Sequence, residues 1–376
     1  MANTPLTGPA PDSRTQPHHP APTEMESAEL DTIRRSSRER TVRNLLYLGK
    51  RLLTYVFIAF VSIVLNFIFP RMMPNDPAES MIRDIFEKTG QRPSQFQIDR
   101  IHMMYGDPDT PILEQFWNYL VQLAHLDLGK SIMYYPMEVK DLIGDALGWT
   151  LWLALVSTLA GWLIGTYLGS RLGWRPGGRL DSFLTPLTMF FASIPAFWLG
   201  LIAVWQLSYI KGWFPAQGAV DQRIQPASLS NPDFLVSILV HSVLPMGVLI
   251  IVGFTGWLFT MRNMMITTVN EDYVHLARAK GLKPAAVRGR YAMRNAMLPN
   301  VTGLAQSIGA SLTAVVLAET VFIYPGVGGL VGASTGTRDY PLLQALMLII
   351  IFLGLIFNFI ADSVYVLLDP RTREED

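Results

Sequence analysis

The chain has no cysteine, which excludes disulfides, thiolate metal sites and a cysteine nucleophile, and leaves the compartment open. Charge is scarce as well. Only 16% of the 376 residues are Asp, Glu, Lys or Arg, against about 25% in an average soluble domain. Those charges sum to zero, so nothing points to a nucleic-acid partner. The patterns GxxxxGK(S/T) and HExxH are absent, and with them the familiar phosphate loop and zinc-hydrolase sites. No catalytic residue and no metal site is assigned. The first 30 residues also lack the apolar core and small-residue cleavage site of a signal peptide, so the first apolar run, from Leu52, reads as an uncleaved anchor.

What is present is apolar sequence, half of the chain. Residues 1–44 are the exception. Pro5, Pro9, Pro11, Pro17, Pro20 and Pro22 break any helix there and apolar residues are few, so this stretch reads as a disordered tail. His18 and His19 lie in it, and two histidines are too few to hold a metal alone. Beyond the tail, six segments are long and apolar enough to cross about 30 Å of hydrocarbon: 52–69, 146–170, 182–210, 234–261, 295–318 and 341–361. None contains Asp, Glu, Lys or Arg, and the fifth is the least apolar, as suits a helix facing protein or water. The expected class is therefore all-α, a polytopic protein of the lipid bilayer with six transmembrane helices.

Basic residues set the expected orientation. Arg34, Arg35, Arg38, Arg40, Arg43, Lys50 and Arg51 precede the first span. Arg171, Arg175 and Arg179 follow the second, and Arg262, Arg278, Lys280, Lys283, Arg288, Arg290 and Arg294 follow the fourth. The short loops on the other side carry only Lys211, Arg223 and Arg338. Both termini are then cytoplasmic. The expected domains are a tail at 1–44, a first transmembrane helix at 45–69, an extracytoplasmic helical insertion at 70–145, a five-helix core at 146–368 with a loop at 262–294, and a tail at 369–376. The insertion holds 7 basic and 12 acidic residues. Ser94 is placed to cap a helix through Met104, and Pro111 to open one through Ala124 that buries Ile112, Phe116, Trp117 and Leu120. Val139, Leu142, Ile143 and Leu147 follow at helical spacing. Such a segment contacts a soluble partner outside or simply packs as a lid.

The loop at 262–294 holds the most specific pattern, Glu271-Asp-Tyr-Val-His-Leu-Ala-Arg-Ala-Lys-Gly281-Leu-Lys-Pro284. Asp272 can cap a short helix, Gly281 suits the left-handed position after its end, and Pro284 suits the first turn of the next. Two short helices at an angle result, with basic residues around the bend and Tyr273, Val274 and Ala277 on one apolar side. Physics leaves two readings open: docking in a groove of a soluble partner, or contact with anionic lipid.

This stretch resembles the cytoplasmic coupling loop of binding-protein-dependent ABC importer permeases. Their E-A-A-x3-G with a later L-P appears as His275-Leu276-Ala277-x3-Gly281 and Leu298-Pro299, with the Glu and first Ala replaced. The form is closer to the dipeptide/oligopeptide/nickel branch, D-Y-V-x2-A-R-A-K-G-L then R-N-A-x2-P, here 272–282 and 294–299. Met73-Pro-Asn-Asp-Pro-Ala78, Asp127-Leu-Gly-Lys-Ser131, Glu319-Thr-Val-Phe322 with Pro325-Gly-Val-Gly328, Arg338-Asp-Tyr-Pro341 and Leu368-Asp-Pro-Arg371 resemble further motifs of that branch in order.

The resemblance implies the type I ABC importer fold, the prokaryotic inner (plasma) membrane, and a set of partners. These are a second homologous permease subunit, two cytoplasmic ABC ATPases and an extracytoplasmic substrate-binding protein. ATP and Mg would sit on the ATPases, with no cofactor on this chain. Coupling to the ATPase falls on Glu271, Asp272, Tyr273, Ala277, Arg278, Lys280, Gly281 and Leu282, with Arg278 and Lys280 at an acidic rim and Gly281 setting the bend. Peptides or a similar small polar solute are the expected cargo, with oligosaccharide or nickel as alternatives. A secondary transporter, the reading from another class, would call for intramembrane charges or inverted repeats.

Within the spans, Gly161, Gly165 and Gly169 share one helical face suited to close helix packing. Pro186, Pro195 and Pro245 interrupt the hydrogen-bond ladder of the third and fourth spans. His241, Gln306 and Glu319 are the candidates for the translocation path. His241 alternatively bonds a neighbouring helix, and Glu319 alternatively snorkels to the interface. Asn358 and Asp362, on one face of the sixth span, either bond across to another helix or mark the exit from lipid.

Overall fold

The computed structural model describes residues 49–69 and 110–368, with scattered positions between them (72, 82–83, 85–87, 90–95, 97–98 and 101). The expected tails at 1–44 and 369–376 and the motif at 73–78 lie outside the described residues. Contacts divide the chain into Met1–Arg51 and Leu52–Asp376, and the second unit carries the architecture that follows.

Among the described residues there is no strand, only an isolated bridge between Lys130 and Glu138. The helices are α1 (Gly49–Phe69), α2 (Ile112–Ala124), α3 (Val139–Trp174), α4 (Arg179–Ala192) and α5 (Ala196–Ile210). Then come α6 (Pro232–Thr268), α7 (Asp272–Ala279) and α8, a continuous helical run over 284–296 with a π-wound middle at Val287–Ala292. The chain closes with α9 (Leu298–Val321), α10 (Val327–Thr337) and α11 (Tyr340–Leu368).

α1, α3, α6 and α11 are each long and apolar enough to cross a membrane alone. The third and fifth expected spans pass only as bent pairs: α4 and α5 meet at 97°, and Leu298–Leu304 meets Gln306–Val321 at 53°. A straight third span therefore does not form. Pro195 has no N–H to donate and its ring clashes with the preceding turn, so α4 stops at Ala192 and Pro195 caps α5. Pro186 is absorbed inside α4, and Pro245 lies within α6 without interrupting it.

α3 and α6 are 36 and 37 residues long, or about 54–56 Å at 1.5 Å per residue, well beyond the hydrocarbon thickness. α3 fuses the 139–147 segment to the second span. Val139, Leu142 and Ile143 bury against Val327 of α10 and Leu342 and Leu346 of α11. α3 ends where Pro176 forces Arg175 out of helical backbone and Gly177 takes φ +72°. α6 begins on a full set of start signals: Asn231 accepts from Asp233 N, Pro232 fills the first turn and Asp233 adds an acid there.

Four glycines bring these two helices together. A Cβ on Gly165 would lie 2.6 Å from Trp257 Cβ, one on Gly169 2.8 Å from Met261 Cβ, and one on Gly173 2.5 Å from Met265 Cβ. Gly161 meets Phe254 N at an ordinary 3.5 Å. Gly173 extends the spacing one step past the three residues read as the packing face. Around this pair sits the main core, with Leu153 and Ala154 of α3, Leu244 and Leu249 of α6, and Leu312 and Val315 of α9.

The helix expected after Pro111 forms, but Ile112 and Trp117 are exposed, at 59% and 65%. Its inward face is instead Phe116, Tyr119 and Leu120. Ser94 and Gln97 exchange reciprocal N-terminal hydrogen bonds, with Ser94 N donating to Gln97 Oε1 at 2.8 Å.

Candidate functional site

The turn after α6 leads into α7, whose N-cap is Glu271, without a side-chain hydrogen bond. Asp272, expected to cap, is instead the first helical residue, where a carboxylate still faces the free N–H groups. The end of α7 follows the sequence expectation. Gly281 takes φ +73°, its N–H bonds Arg278 O, and Pro284 starts α8.

Two side chains fasten this hairpin to the bundle. Val274 and Ala277 are buried among Met261 and Met265 of α6 and Val287, Ala292 and Ala296 of α8. Ala277 therefore faces the chain's own core, not outwards. Glu271, Asp272, Tyr273, Lys280, Gly281 and Leu282 are exposed, as is Leu276, at 57%. Leu276 was not among the residues singled out, though its place one helical turn after Tyr273 marks it. Arg278 reaches back, with its guanidinium carbon 5.0 Å above the Trp174 ring centre. A basic residue expected at a partner's rim thus also touches the foot of α3, and nothing in the sequence pairs these two positions.

A second joint lies beside it. Arg262, counted above among the basic residues that follow the fourth span, donates from Nε and Nη2 to the two oxygens of Asp181, both at 2.7 Å. Asp181 is buried and also accepts from Gly177 N and Thr185 Oγ1. The pair ties the end of unbroken α6 to the start of bent α4–α5. Asn300, just inside α9, is fully buried and donates to Thr166 Oγ1 of α3 and to Trp257 O of α6. Trp162 Nε1 donates to Asn300 O. The hairpin is thus continuous with a polar clasp among α3, α6 and α9.

The three path candidates separate. His241 Nδ1 is 2.8 Å from Ser237 O, a contact within its own helix. Glu319 is fully buried, neither at an outer mouth nor snorkelling. Its Oε2 accepts from Gly328 N at 2.6 Å, because the free N–H groups at the start of α10 attract a carboxylate. Gln306 is exposed beside the α9 bend. It begins an exposed row, Gln306, Ala310, Thr313, Leu317 and Thr320, spaced three or four apart on one face. The exposed residues over 340–363 of α11 are mostly apolar by contrast, with Met347, Ile351, Ile356 and Ile360 against the single polar Asn358.

Two motif segments far apart in sequence meet at the other end. Asp339 is buried and accepts from Ser131 Oγ and from the N–H groups of Ile132 and Met133, the latter two at 3.0 Å. Arg338 turns the chain into this contact with φ +57°. Asp362 accepts from Tyr55 of α1 at 2.7 Å, a bond across to another helix. Among the described residues no group of three His, Asp or Glu could hold a metal.

A family model described as "Binding-protein-dependent transport system inner membrane component" matches residues 161–374. The chain is 32% identical to the oligopeptide transport system permease protein AppB of Bacillus subtilis, over 86% of this chain and 98% of that protein. It is 30% identical to the di/tripeptide transport system permease protein DppB of Pseudomonas aeruginosa, over 88% and 99%. It is also 30% identical to the glutathione transport system permease protein GsiC of Escherichia coli, over 87% and 98%.

Proposed function

Since the chain belongs to the binding-protein-dependent transport system inner membrane component family, the permeases of ABC importers, we propose that it forms half of a channel for small peptides. It is a multi-pass inner-membrane subunit and not an enzyme. A second related permease completes the channel, two cytoplasmic ATPases bind ATP and Mg, and a substrate-binding protein delivers cargo from outside. The bent pairs α4–α5 and α9 each count as one span, which makes six, with both termini cytoplasmic and 70–145 outside. The relatives named for oligopeptides, di- and tripeptides and glutathione favour peptide over oligosaccharide or nickel.

The α7–α8 hairpin carries this reading. Its outward residues Tyr273, Leu276, Lys280 and Leu282 combine apolar and basic groups, as a helix seated in a partner's groove requires. Its inward residues grip the ends of α6 and α8, so a push on the hairpin reaches the spans. The exposed row from Gln306 to Thr320 supports α9 as the wall of the path, because lipid would favour the apolar residues found on α11.

The test uses the whole importer in proteoliposomes. Gly281→Pro removes both the φ > 0 position and its N–H, Leu276→Glu charges the outward face, and Arg278→Glu reverses the charge over Trp174. Each is expected to leave the chain in the membrane with basal ATP hydrolysis while peptide uptake falls. Normal uptake in all three removes the coupling assignment. Peptide movement by this chain alone, driven by an ion gradient, overturns the importer reading.

A further inference from the structure

Helix α2 divides into three lengthwise sectors. Phe116, Tyr119, Leu120 and Leu123 turn towards the protein. Phe116 packs edge-on against Phe67 of α1 at 5.1 Å between ring centres, and Asn66 Nδ2 donates to Tyr119 Oη at 3.3 Å. Leu113, Trp117 and Val121 form a second row, four residues apart and all exposed. Glu114, Asn118 and Gln122 form a third, also exposed, one position further round. At about 100° per residue, these rows lie side by side along the whole helix.

A helix with only a protein face and a water face has no use for the middle row. The position of α2 indicates what covers it. Asn66 and Phe67 belong to the last turn of α1 before it ends at Phe69, so α2 sits where a membrane span leaves the hydrocarbon. Leu65, Ile68 and Phe69 of that same end are exposed and apolar, as residues facing acyl chains are. The row on α2 is apolar like that end of α1, carries no charge, and centres on Trp117, whose ring suits the boundary between headgroups and acyl chains.

We propose that α2 is a membrane-seated helix, with Leu113, Trp117 and Val121 in the lipid at the headgroup boundary and Glu114, Asn118 and Gln122 in water. The occupant of the apolar row is lipid, not the substrate-binding protein or a second permease. That the leaflet is the outer one rests on the orientation proposed above; the contact with lipid does not. The insertion after the first span is thereby held against the membrane along α2.

The chain's lack of cysteine makes the test direct. Single cysteines at 113, 117 and 121 and at 114, 118 and 122 are spin-labelled in the complete importer, in nanodiscs of phosphatidylethanolamine and phosphatidylglycerol. Collision rates with oxygen, which concentrates in lipid, and with a water-soluble nickel chelate are then compared. The expected result is an oxygen-to-nickel ratio several-fold higher at 113, 117 and 121 than at 114, 118 and 122, unchanged when the binding protein docks. Equal ratios at all six positions overturn the proposal. So does nickel access in the apolar row that is lost on docking, or protection of that row from both reagents, since each would mean a protein occupant. An impermeant maleimide applied to cells reports the side separately. Labelling of Asn118→Cys only from the cytoplasm would overturn the orientation and leave the lipid contact standing.

Discussion

α3 and α6 run unbroken for their full length and touch backbone to backbone, whereas α4–α5 and α9 are broken at 97° and 53°. Both kinds of segment are apolar and both contain proline or glycine, so composition does not separate them. Placement does. Glycines repeated every fourth residue put all the missing side chains on one face, where a second helix fills the space. The backward hydrogen bonds of α4 reach Ser193 and Ile194 and stop at Pro195, which has no N–H to continue the ladder. Close packing resists small displacements, so the unbroken pair behaves as a post, and the bent segments beside it supply the places where the chain can change angle.

The largest effect is expected from forcing the post apart. In Gly165→Leu or Gly169→Leu the new Cβ already collides with Trp257 or Met261, and the rest of the side chain has no space. Overpacking usually costs about 1–3 kcal/mol, and here backbone must move as well. The expected outcome is loss of assembled importer, measured as the monodisperse fraction in detergent. Gly253→Ala and Gly256→Ala on α6 meet nothing within 4 Å and are expected to assemble normally. If all four behave alike, the post is not held by glycine contact.

The joint between post and hinge comes next. Asp181→Leu leaves the Arg262 guanidinium largely buried without its carboxylate, and breaking one side of a buried pair costs about 3–5 kcal/mol. Arg262 keeps some exposure, 21% of its side chain, so the low end is expected as a lowered Tm of the complex. Asp181→Leu with Arg262→Met removes both charges and is expected to recover most of the loss. Failure to recover would make the pair's hydrogen bonds to Gly177 and Thr185 the greater contribution.

These two regions were unequally legible in the sequence. The glycine face of α3, the Gly281–Pro284 bend and four of the six apolar spans follow from spacing and backbone preference, and the structure keeps them, whereas the third and fifth are bent pairs. Asp181–Arg262, Ser131–Asp339 and Trp174–Arg278 join residues 81, 208 and 104 positions apart, and no local pattern announces such a pairing. Glu319 misled for a related reason. A lone carboxylate at the end of a span suggests water, but the N-terminus of α10, formed by the following residues, gives it a buried donor instead.

A smaller effect tests the hinge itself. Ala is preferred over Pro by about 3 kcal/mol inside a helix, so Pro195→Ala removes the main obstacle to a straight α4–α5. Spin labels at 187 and 201, both exposed positions, report the angle. At about 1.5 Å per residue their backbones lie about 14 Å apart at the observed bend and about 21 Å apart if straight. A shift towards the longer distance, with reduced uptake, is expected. An unchanged distance would mean that packing around the break, not Pro195, holds the bend.

The smallest effect is expected at the foot of the post, where the hairpin touches it. A cation over an indole ring near solvent contributes about 0.5–1 kcal/mol, so Trp174→Ala and Arg278→Ala should each change Tm little. Their double-mutant cycle should nonetheless show coupling of that size, with Trp174→Phe keeping most of it. The consequence for transport is larger than the energy suggests. Arg278 stands on α7, whose Val274 and Ala277 sit in a cluster with residues of α6 and α8 that Trp174 also packs against. Trp174 is then the direct contact through which the hairpin acts on α3. If so, Trp174→Ala raises the ATP hydrolysed per peptide imported while ATPase activity itself is unchanged. An additive cycle with normal stoichiometry would show that the hairpin moves the post only through α6, and that the stack is a resting place for an arginine side chain.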